Sequence, residues 1–358
     1  MERQATTRQS AVAGLAVERR GALCLVTLDR PQALNALTLA MIDGLDALLA
    51  TAAADPAVAA VAIRGAGERA FCAGGDIRAL YEARQHGGGL TRDLYRHEYP
   101  LNRHIAAFPK PYVALIDGIV MGGGVGVSLH GSHRVVGDRA LFAMPEVAIG
   151  FFPDVGAGWL LQRCPGRIGL YLGLTGARLG PADLVHAGLA SHHVPSGRMP
   201  ELLEALPAAV ATPAGLEACL AGFARPPEAA PLAERRAAID RCFAGASAEA
   251  ILAALEAEPE PWAAEAANAM RQGSPTSLKV TLRHLRAAHP DLAAMLRSEY
   301  RLSQHFVRDS DFFEGVRAAI IDKDRRPRWR PDRLEAVDEA RVAGFFAPLA
   351  EPDLDFPD

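Results

Sequence analysis

The chain has 358 residues, of which 50% are hydrophobic and 22% charged, and its formal net charge is −4. This composition is typical of a globular protein that is large enough for a sizeable core and more than one structural region. A slightly acidic chain has no overall positive field for nucleic acid or anionic lipid. We therefore expect neither nucleic-acid nor membrane partners.

The five cysteines are odd in number, widely spaced and without a C-x-x-C pair, which favours reduced thiols over a disulfide framework. The sequence shows no metal-ligand pattern, so we expect no metal. The first ten residues are polar, and no run reaches the roughly 18 apolar residues of a membrane span. These features predict a cytoplasmic protein.

Buried strands and helices alternate in the first half of the chain, which predicts an α/β fold. Continuous apolar runs predict strands at residues 22–29, 58–64 and 111–116. Helical spacing of apolar residues predicts helices at residues 37–54, 77–85, 91–108, 156–163 and 167–174. A further helix is predicted to begin in the glycine triplet at 122–124 and run to residue 130.

The chain returns to two short strands at residues 134–138 and 189–194, with a helix start at Gly180 and Pro181 between them. From about residue 199 onward the pattern is helical and alanine-rich. Helices are predicted to start at Ser274 and to cover residues 291–307 and 311–321. We therefore divide the chain into an α/β core at 12–200 and a mainly helical region at 201–358.

Residues 118–126 (GIVMGGGVG) are the most informative segment, because two carboxylates, Glu146 and Asp154, follow closely. Glycine lets backbone N–H groups approach an oxygen that becomes negative, and carboxylates supply a base or nucleophile. The combination suits chemistry at a carbonyl group. A G-x-G-x-x-A match at residues 65–70 is not followed directly by a helix, so we expect no dinucleotide and no other cofactor.

Three segments, each at a strand-to-helix junction, together resemble the crotonase (enoyl-CoA hydratase/isomerase) superfamily: residues 30–37 (RPQALNAL), 71–77 (FCAGGDI) and 118–126. The resemblance implies a spiral of ββα units, acyl-CoA substrates and an oxyanion hole of two backbone N–H groups. Carried over by position, these two donors are Gly75 and Gly123. A helix that starts at Gly123 would also direct its positive end at the oxyanion.

The resemblance further implies a lining for CoA at Ala33, Leu34, Ala73 and Ile77, with Asp76 as another substrate-binding residue. The family often has a basic residue beside the Ala33 position, whereas this chain has Gln32. The cations that bind the CoA phosphates are therefore unassigned.

One departure from the family pattern decides which reaction is expected. Hydratases of the family usually carry a catalytic glutamate at the position of Gly126, which has no side chain. The second glutamate is present as Glu146, and a new carboxylate, Asp154, stands where many hydratases have glycine. This arrangement resembles the 3-hydroxyisobutyryl-CoA hydrolase branch, as do residues 97–99, 110–114, 121–126, 143–146, 149–156, 174–176, 311–318, 321–327 and 329.

The branch resemblance implies hydrolysis of a 3-hydroxyacyl-CoA thioester, and within that class of 3-hydroxyisobutyryl-CoA in valine breakdown. Glu146 would attack the thioester or activate water. Asp154 would orient water or the substrate hydroxyl, or accept the proton that Glu146 cannot hold. Glu98 would bind the acyl hydroxyl. Two alternatives stay open: a lyase or isomerase on a related acyl-CoA, and a non-catalytic subunit. The helical tail would cover the acyl pocket or form contacts in a homo-oligomer.

Overall fold

A computed structural model describes residues 7–9, 12–85 and 89–356. The chain forms two compact units, each assembled from three segments. The sheet unit contains the residues up to 75, 100–142 and 179–231, and the helical unit contains 76–99, 143–178 and the residues from 232 onward. The division at residue 200 concerns regions of the sequence rather than these units, and it stays a prediction.

A seven-stranded sheet forms the framework of the sheet unit. The strand Leu23–Leu28 is buried throughout and pairs in parallel with Ala60–Gly65, which pairs in parallel with Tyr112–Ile116. These are the three predicted apolar runs, confirmed with bounds shifted by a few residues; continuous apolar runs suit strands covered on both faces. Across the sheet the strands are Thr7–Gln9, Leu15–Arg20, Leu23–Leu28, Ala60–Gly65, Tyr112–Ile116, His133–Val136 and His192–His193.

A second sheet has the three short strands Ala70–Cys72, Ile119–Met121 and Leu141–Ala143. Sequence analysis did not predict these strands, because three residues are too few to show an alternating pattern. Asn35 is fully buried, and its side-chain amide donates to the carbonyls of Ala66 and Ala70 at 3.0 and 2.9 Å. This residue ties the 30–37 segment to the start of the first strand of the second sheet.

The helix at the glycine triplet is much shorter than predicted. It covers only Gly123–Gly126, and residues 127–130 form turns. Three of its four residues are glycine, each of which costs about 1 kcal/mol of helix stability relative to alanine. In addition, the Ser128 hydroxyl donates to the Gly124 carbonyl at 2.6 Å and occupies a helix acceptor. The prediction of a helix up to residue 130 was wrong.

The remaining helices of the sheet unit follow their sequence signals. Thr38 caps the first long helix by accepting the N–H of Met41 at 3.2 Å, and Pro181 begins another, as predicted. These helices are Leu39–Ala54, Pro181–His186, Met199–Ala209 and Pro213–Phe223, and Leu90–Ala106 begins in the helical unit and ends in the sheet unit.

The helical unit has no strand between residues 232 and 356, as the alanine-rich pattern predicts. Ser274 and Asp291 cap their helices, each accepting an N–H of the first turn. The final predicted helix at 311–321 is confirmed as Ser310–Val316, which continues into the π-helix Arg317–Ile321. The other helices are Ile77–Gln85, Ala157–Leu161, Ile168–Thr175, Pro231–Cys242, Ala248–Ala257, Pro261–Gln272, Pro275–Arg286, Leu292–Phe306 and Glu339–Phe345.

Aromatic rings fill the centre of the helical unit. Phe151 packs against Phe312 at 5.0 Å between ring centroids, and Phe152 stacks on Phe306 at 5.4 Å. Tyr95 also stacks on Phe151, at 5.6 Å between ring centroids. The two phenylalanines directly precede Pro153 and Asp154, so the carboxylate emerges from a water-poor region. Among the described residues, no helix combines the length and apolarity needed to cross a bilayer.

Candidate active site

The two predicted oxyanion glycines follow neighbouring strands of the sheet unit. Ala70–Cys72 pairs in parallel with Ile119–Met121, and Gly75 and Gly123 come a few residues after their carboxyl ends. A Cβ added to Gly74 would lie 3.7 Å from the backbone nitrogen of Gly123. Parallel strands end at the same edge of a sheet, so the fold brings the two glycine segments together.

The backbone at both glycines leaves an N–H available. Leu37 donates its N–H to the Gly74 carbonyl at 2.9 Å and forms an isolated parallel bridge with Gly75. In such a bridge the middle residue directs its own N–H away from the partner strand. Gly123 is the first residue of its helix, where no helix carbonyl accepts the N–H. A helix of four residues has only a small dipole, so it stabilises an oxyanion less than the longer helix that was predicted.

The residues expected to line CoA divide between the units. Ala33 and Leu34 lie at a turn in which Leu34 has a positive φ of 51°, and the N–H of Ala73 donates to the Leu34 carbonyl at 3.0 Å. The fold thus brings Ala33, Leu34 and Ala73 together. Asp76 accepts the N–H of Ala79 at 3.3 Å and caps the helix that Ile77 begins, which gives it a structural role beside the predicted binding role.

Glu146 and Asp154 both belong to the helical unit, and each is only 6% exposed. Glu146 begins the short 3-10 helix Glu146–Ile149. That helix ends at Gly150 with φ of 72°, where an added Cβ would lie 2.4 Å from the Asp311 backbone. The chain then turns back, with the N–H of Phe151 donating to the Glu146 carbonyl at 3.0 Å. This tight loop carries the chain from Glu146 towards Asp154.

The helix Leu90–Ala106 directs a second set of polar groups at Asp154. The Tyr99 hydroxyl donates to Oδ2 of Asp154 at 2.8 Å, and Glu98 is 2% exposed. Around Asp154, the hydroxyl of Tyr95, Oε1 of Glu98 and Oε2 of Glu146 are buried and have no hydrogen-bond partner among the described residues. Buried polar atoms normally have partners. A polar substrate or water molecules would supply them here.

Burial dominates the electrostatics of this carboxylate cluster. Burial and then the charge of Asp154 raise the pKa of Glu146 well above its usual range, and the same two causes raise that of Glu98. Burial and then the charge of Glu299 raise the pKa of Asp154, which the hydrogen bond from Tyr99 lowers in part. Protons are therefore available on carboxyl groups near neutral pH, as acid–base chemistry requires.

Sequence reasoning missed Tyr95, Tyr99 and Glu299. The two tyrosines were detectable, because positions i and i+4 on a helix share a face and Glu98 lies between them. Glu299 left no such signal: it lies 143 residues beyond Gly156, whose N–H it accepts. Gly126 is buried within its short helix. Because it has no side chain, it supplies no carboxylate at the position where hydratases of the family carry a glutamate.

A family model described as enoyl-CoA hydratase/isomerase matches residues 23–346 of this chain. The chain belongs to the enoyl-CoA hydratase/isomerase family. The crotonase-like α/β fold with a helical C-terminal region, predicted from the motifs, is confirmed by solved structures of this family. For example, a carnitinyl-CoA dehydratase from Mycobacterium thermoresistibile has a TM-score of 0.91 and 44% identity, over 96% of this chain and 99% of that chain.

An enoyl-CoA hydratase from Rhodobacter sphaeroides 2.4.1 has a TM-score of 0.87 and 45% identity, over 96% of this chain and 100% of that chain. A Gallus gallus protein named "3-hydroxyisobutyryl-CoA hydrolase, mitochondrial" is 44% identical over 350 residues, which are 96% of this chain and 91% of that protein. The resemblance to the hydrolase branch of the enoyl-CoA hydratase/isomerase family is thereby confirmed.

Proposed function

We propose that this protein is an enzyme that hydrolyses 3-hydroxyisobutyryl-CoA to 3-hydroxyisobutyrate and CoA. The observation that carries the proposal is the 44% identity, over 96% of the chain, to a relative of that name. The sequence agrees with it, because Gly126 cannot supply the glutamate that water addition uses in the family, whereas Glu146 and Asp154 are both present.

The oxyanion is assigned to the backbone N–H groups of Gly75 and Gly123. The support is their place after adjacent parallel strands and the orientation of the Gly75 N–H. When a nucleophile attacks the thioester carbon, the carbonyl oxygen becomes negative, and two fixed donors stabilise it more than the neutral oxygen. Each such donor lowers the activation barrier by about 3 kcal/mol.

Glu146 and Asp154 are assigned to the proton transfers. In the general-base route, Glu146 takes a proton from water as the water oxygen bonds to the acyl carbon. The C–S bond then breaks, and the thiolate takes a proton from Asp154, whose raised pKa favours the protonated form. The proton on Glu146 afterwards returns to Asp154 through solvent. Glu98, with its unpartnered Oε1, is assigned to the hydroxyl of the acyl group.

A nucleophilic route uses the same residues. A carboxylate oxygen of Glu146 attacks the acyl carbon, the thiolate leaves with the Asp154 proton, and water hydrolyses the resulting mixed anhydride. A rapid acid quench followed by mass spectrometry separates the routes. An acyl adduct on a Glu146 peptide shows the nucleophilic route, and unmodified peptide throughout the first turnover shows the general-base route.

The rival reaction is water addition or removal, because the two solved relatives at 44–45% identity are described as a dehydratase and a hydratase. Release of free CoA, followed with a thiol reagent, separates the reactions on 3-hydroxyisobutyryl-CoA and crotonyl-CoA assayed in parallel. The hydrolase releases thiol from the hydroxyacyl substrate. Water addition to crotonyl-CoA without thiol release from either substrate would contradict the proposed hydrolase activity.

Substitution of the carboxylates tests the site assignment. Glu146→Gln and Asp154→Asn are each expected to lower CoA release by about two to four orders of magnitude, the usual contribution of a positioned acid or base. CoA binding, measured by calorimetry, should persist, because these side chains are assigned to the acyl end. Unchanged turnover in both variants would remove them from the reaction and support a non-catalytic role.

No cofactor enters this proposal, since CoA is part of the substrate. The compartment and the oligomeric state stay predictions: the sequence favours the cytoplasm, whereas the name of the Gallus gallus relative places that protein in mitochondria. Cell fractionation tests the compartment, and light scattering after size-exclusion chromatography tests whether the protein is a homo-oligomer.

A further inference from the structure

The turn that carries Asp154 has a strained backbone. Val155 has a positive φ of 57° and Gly156 one of 76°, so two consecutive residues are left-handed. Glycine adopts this conformation readily, but a β-branched residue is a genuine outlier there. Val155 is also 1% exposed. Strain of this kind persists only where the surrounding structure holds the backbone in place.

Glu299 supplies that restraint from a distant helix. It is fully buried on Leu292–Phe306, and its Oε2 accepts the N–H of Gly156 at 2.6 Å. Its other oxygen, Oε1, accepts the N–H of Gly158 at 3.2 Å. The carboxylate thus bridges two N–H groups that lie on either side of the first residue of the helix Ala157–Leu161. These donors would otherwise be buried without an acceptor.

A third donor points to the ionised form of Glu299. Nε2 of His284 lies 3.3 Å from Oε1, and both side chains are fully buried. Burial lowers the pKa of His284 to about 4, so near neutral pH the ring is neutral and carries one N–H. Nδ1 has no partner among the described residues. With its proton on Nε2, His284 donates to Glu299, which then has three donors, and each of them favours the ionised form.

We propose that Glu299 is a positioning residue for the hydrolysis proposed above: its carboxylate fixes the turn that carries Asp154, and its negative charge acts on the Asp154 carboxyl group. The proposal rests on the proposed function for the reaction that it serves. The restraint of the turn rests on geometry alone.

The surroundings of Asp154 set the direction of the electrostatic effect. The groups that face it are the Tyr99 hydroxyl and Tyr95, the carboxyl groups of Glu98 and Glu146, and Glu299. Glu299 has three donors, whereas Asp154 has two, the Tyr99 hydroxyl and its own backbone N–H. The larger number of donors favours ionisation of Glu299 before Asp154, and the charge of Glu299 then keeps the proton on Asp154.

The variant Glu299→Gln tests both parts of the proposal. Glutamine keeps the shape, removes the charge and turns one of the two acceptors into an NH₂ group that faces an N–H. We expect kcat to fall about a hundredfold, as a misplaced catalytic group does, with little change in KM. In addition, the ionisation midpoint of Asp154 should move to lower pH, which a merely structural role would not cause.

The ionisation of Asp154 is measured without substrate, by NMR of protein carrying ¹³C-labelled aspartate carboxyl groups. The signal lost in Asp154→Asn identifies the residue. Tyr99→Phe should move the midpoint in the opposite direction, to higher pH, because it removes the donor to the ionised form. An unchanged midpoint in Glu299→Gln would overturn the proposal.

Asp311→Asn is the matched control. Asp311 is also a buried carboxyl group of the helical unit that accepts a backbone N–H, from Arg330 at 2.8 Å, and a hydroxyl hydrogen bond, from Ser274 at 2.7 Å. Its loss should lower the melting temperature and leave the Asp154 midpoint in place. If Asp311→Asn moves that midpoint as far as Glu299→Gln does, the effect is general loosening and the proposal fails.

Two further measurements keep the proposal falsifiable. Glu299→Asp keeps the charge but is too short to reach both N–H groups, so kcat should fall while the Asp154 midpoint stays high. If Glu299→Gln does not fold, wild-type protein labelled on both residue types decides the order of ionisation. Ionisation of Asp154 before Glu299 would overturn the proposal.

Failure of this inference is distinguishable from failure of the proposed function. Wild-type protein that releases no CoA, but whose Asp154 midpoint falls in Glu299→Gln, contradicts the hydrolase and supports the coupling of the two residues. If the wild-type protein releases CoA, but the Asp154 midpoint is the same in the wild type and in Glu299→Gln, only the role of Glu299 is contradicted.

Discussion

At the scale of single residues, the candidate site contains three buried carboxyl groups, those of Glu98, Glu146 and Asp154, each at most 6% exposed. Glu146 and Asp154 were predicted from the sequence, and in the structure Asp154 is buried, accepts the Tyr99 hydroxyl and comes two residues after the packed ring of Phe152. A carboxylate in such surroundings is expensive to ionise. Function, rather than stability, is the reason to keep these groups there.

The glycine triplet makes a residue-scale prediction about close packing. A Cβ added to Gly124 would lie 2.2 Å from the carbonyl oxygen of Cys72, so Gly124→Ala forces the two segments apart. We expect a loss of about 1–3 kcal/mol in the free energy of unfolding, measured with urea. Gly222→Ala is the control, because that exposed helical glycine has no atom within 4 Å of the added Cβ. Equal stability losses in both variants would contradict the packing argument.

At the scale of elements, long amphipathic or apolar segments were predictable and short ones were not. Local signals determine where the long helices begin: Thr38, Ser274 and Asp291 each cap a helix start through the side chain. The helix Gly123–Gly126 lacks such signals and exists only through its packing, with Gly124 against Cys72. Its length was therefore overestimated from sequence.

The cap of the helix that carries Glu299 gives an element-scale prediction. Exposed Asp291 accepts the N–H of Ala294 at 2.7 Å. Asp291→Ala should lower the free energy of unfolding by about 1 kcal/mol, because the N–H loses its acceptor. Asp291→Ser, which keeps an acceptor, should lose much less. Urea unfolding of the two variants checks this, and an equal loss in both would show that capping is not the cause.

At the scale of the whole molecule, the buried carboxyl groups make stability depend on pH. Burial raises the pKa of Asp154 to about 8, and it raises those of Glu98 and Glu146 well above their usual range. The folded state then binds more protons than the unfolded state above the ordinary carboxyl pKa of about 4. Their contribution to stability is full below that pH and is lost as the pH rises towards 8.

The variant Glu146→Gln should therefore gain stability relative to the wild type as the pH rises. Each pKa unit between the folded and unfolded carboxyl corresponds to about 1.4 kcal/mol, so the difference in melting temperature should be larger at pH 8 than at pH 5. Calorimetry at both values measures it. Glu265→Gln, at an exposed site of the same unit, is the control for the chemical change itself. A constant difference for Glu146→Gln would contradict the raised pKa.

The sequence by itself determined the three buried strands of the main sheet, the long helices, the glycine segments and the carboxylates Glu146 and Asp154. These depend on local composition and spacing, or on motifs that a family shares. Only the tertiary structure decided that the Gly74–Gly75 segment lies beside Gly123, that Tyr99 donates to Asp154, and that Glu299 accepts the N–H of Gly156. Those contacts join residues 49, 55 and 143 positions apart in the chain, and only packing determines which distant residues meet.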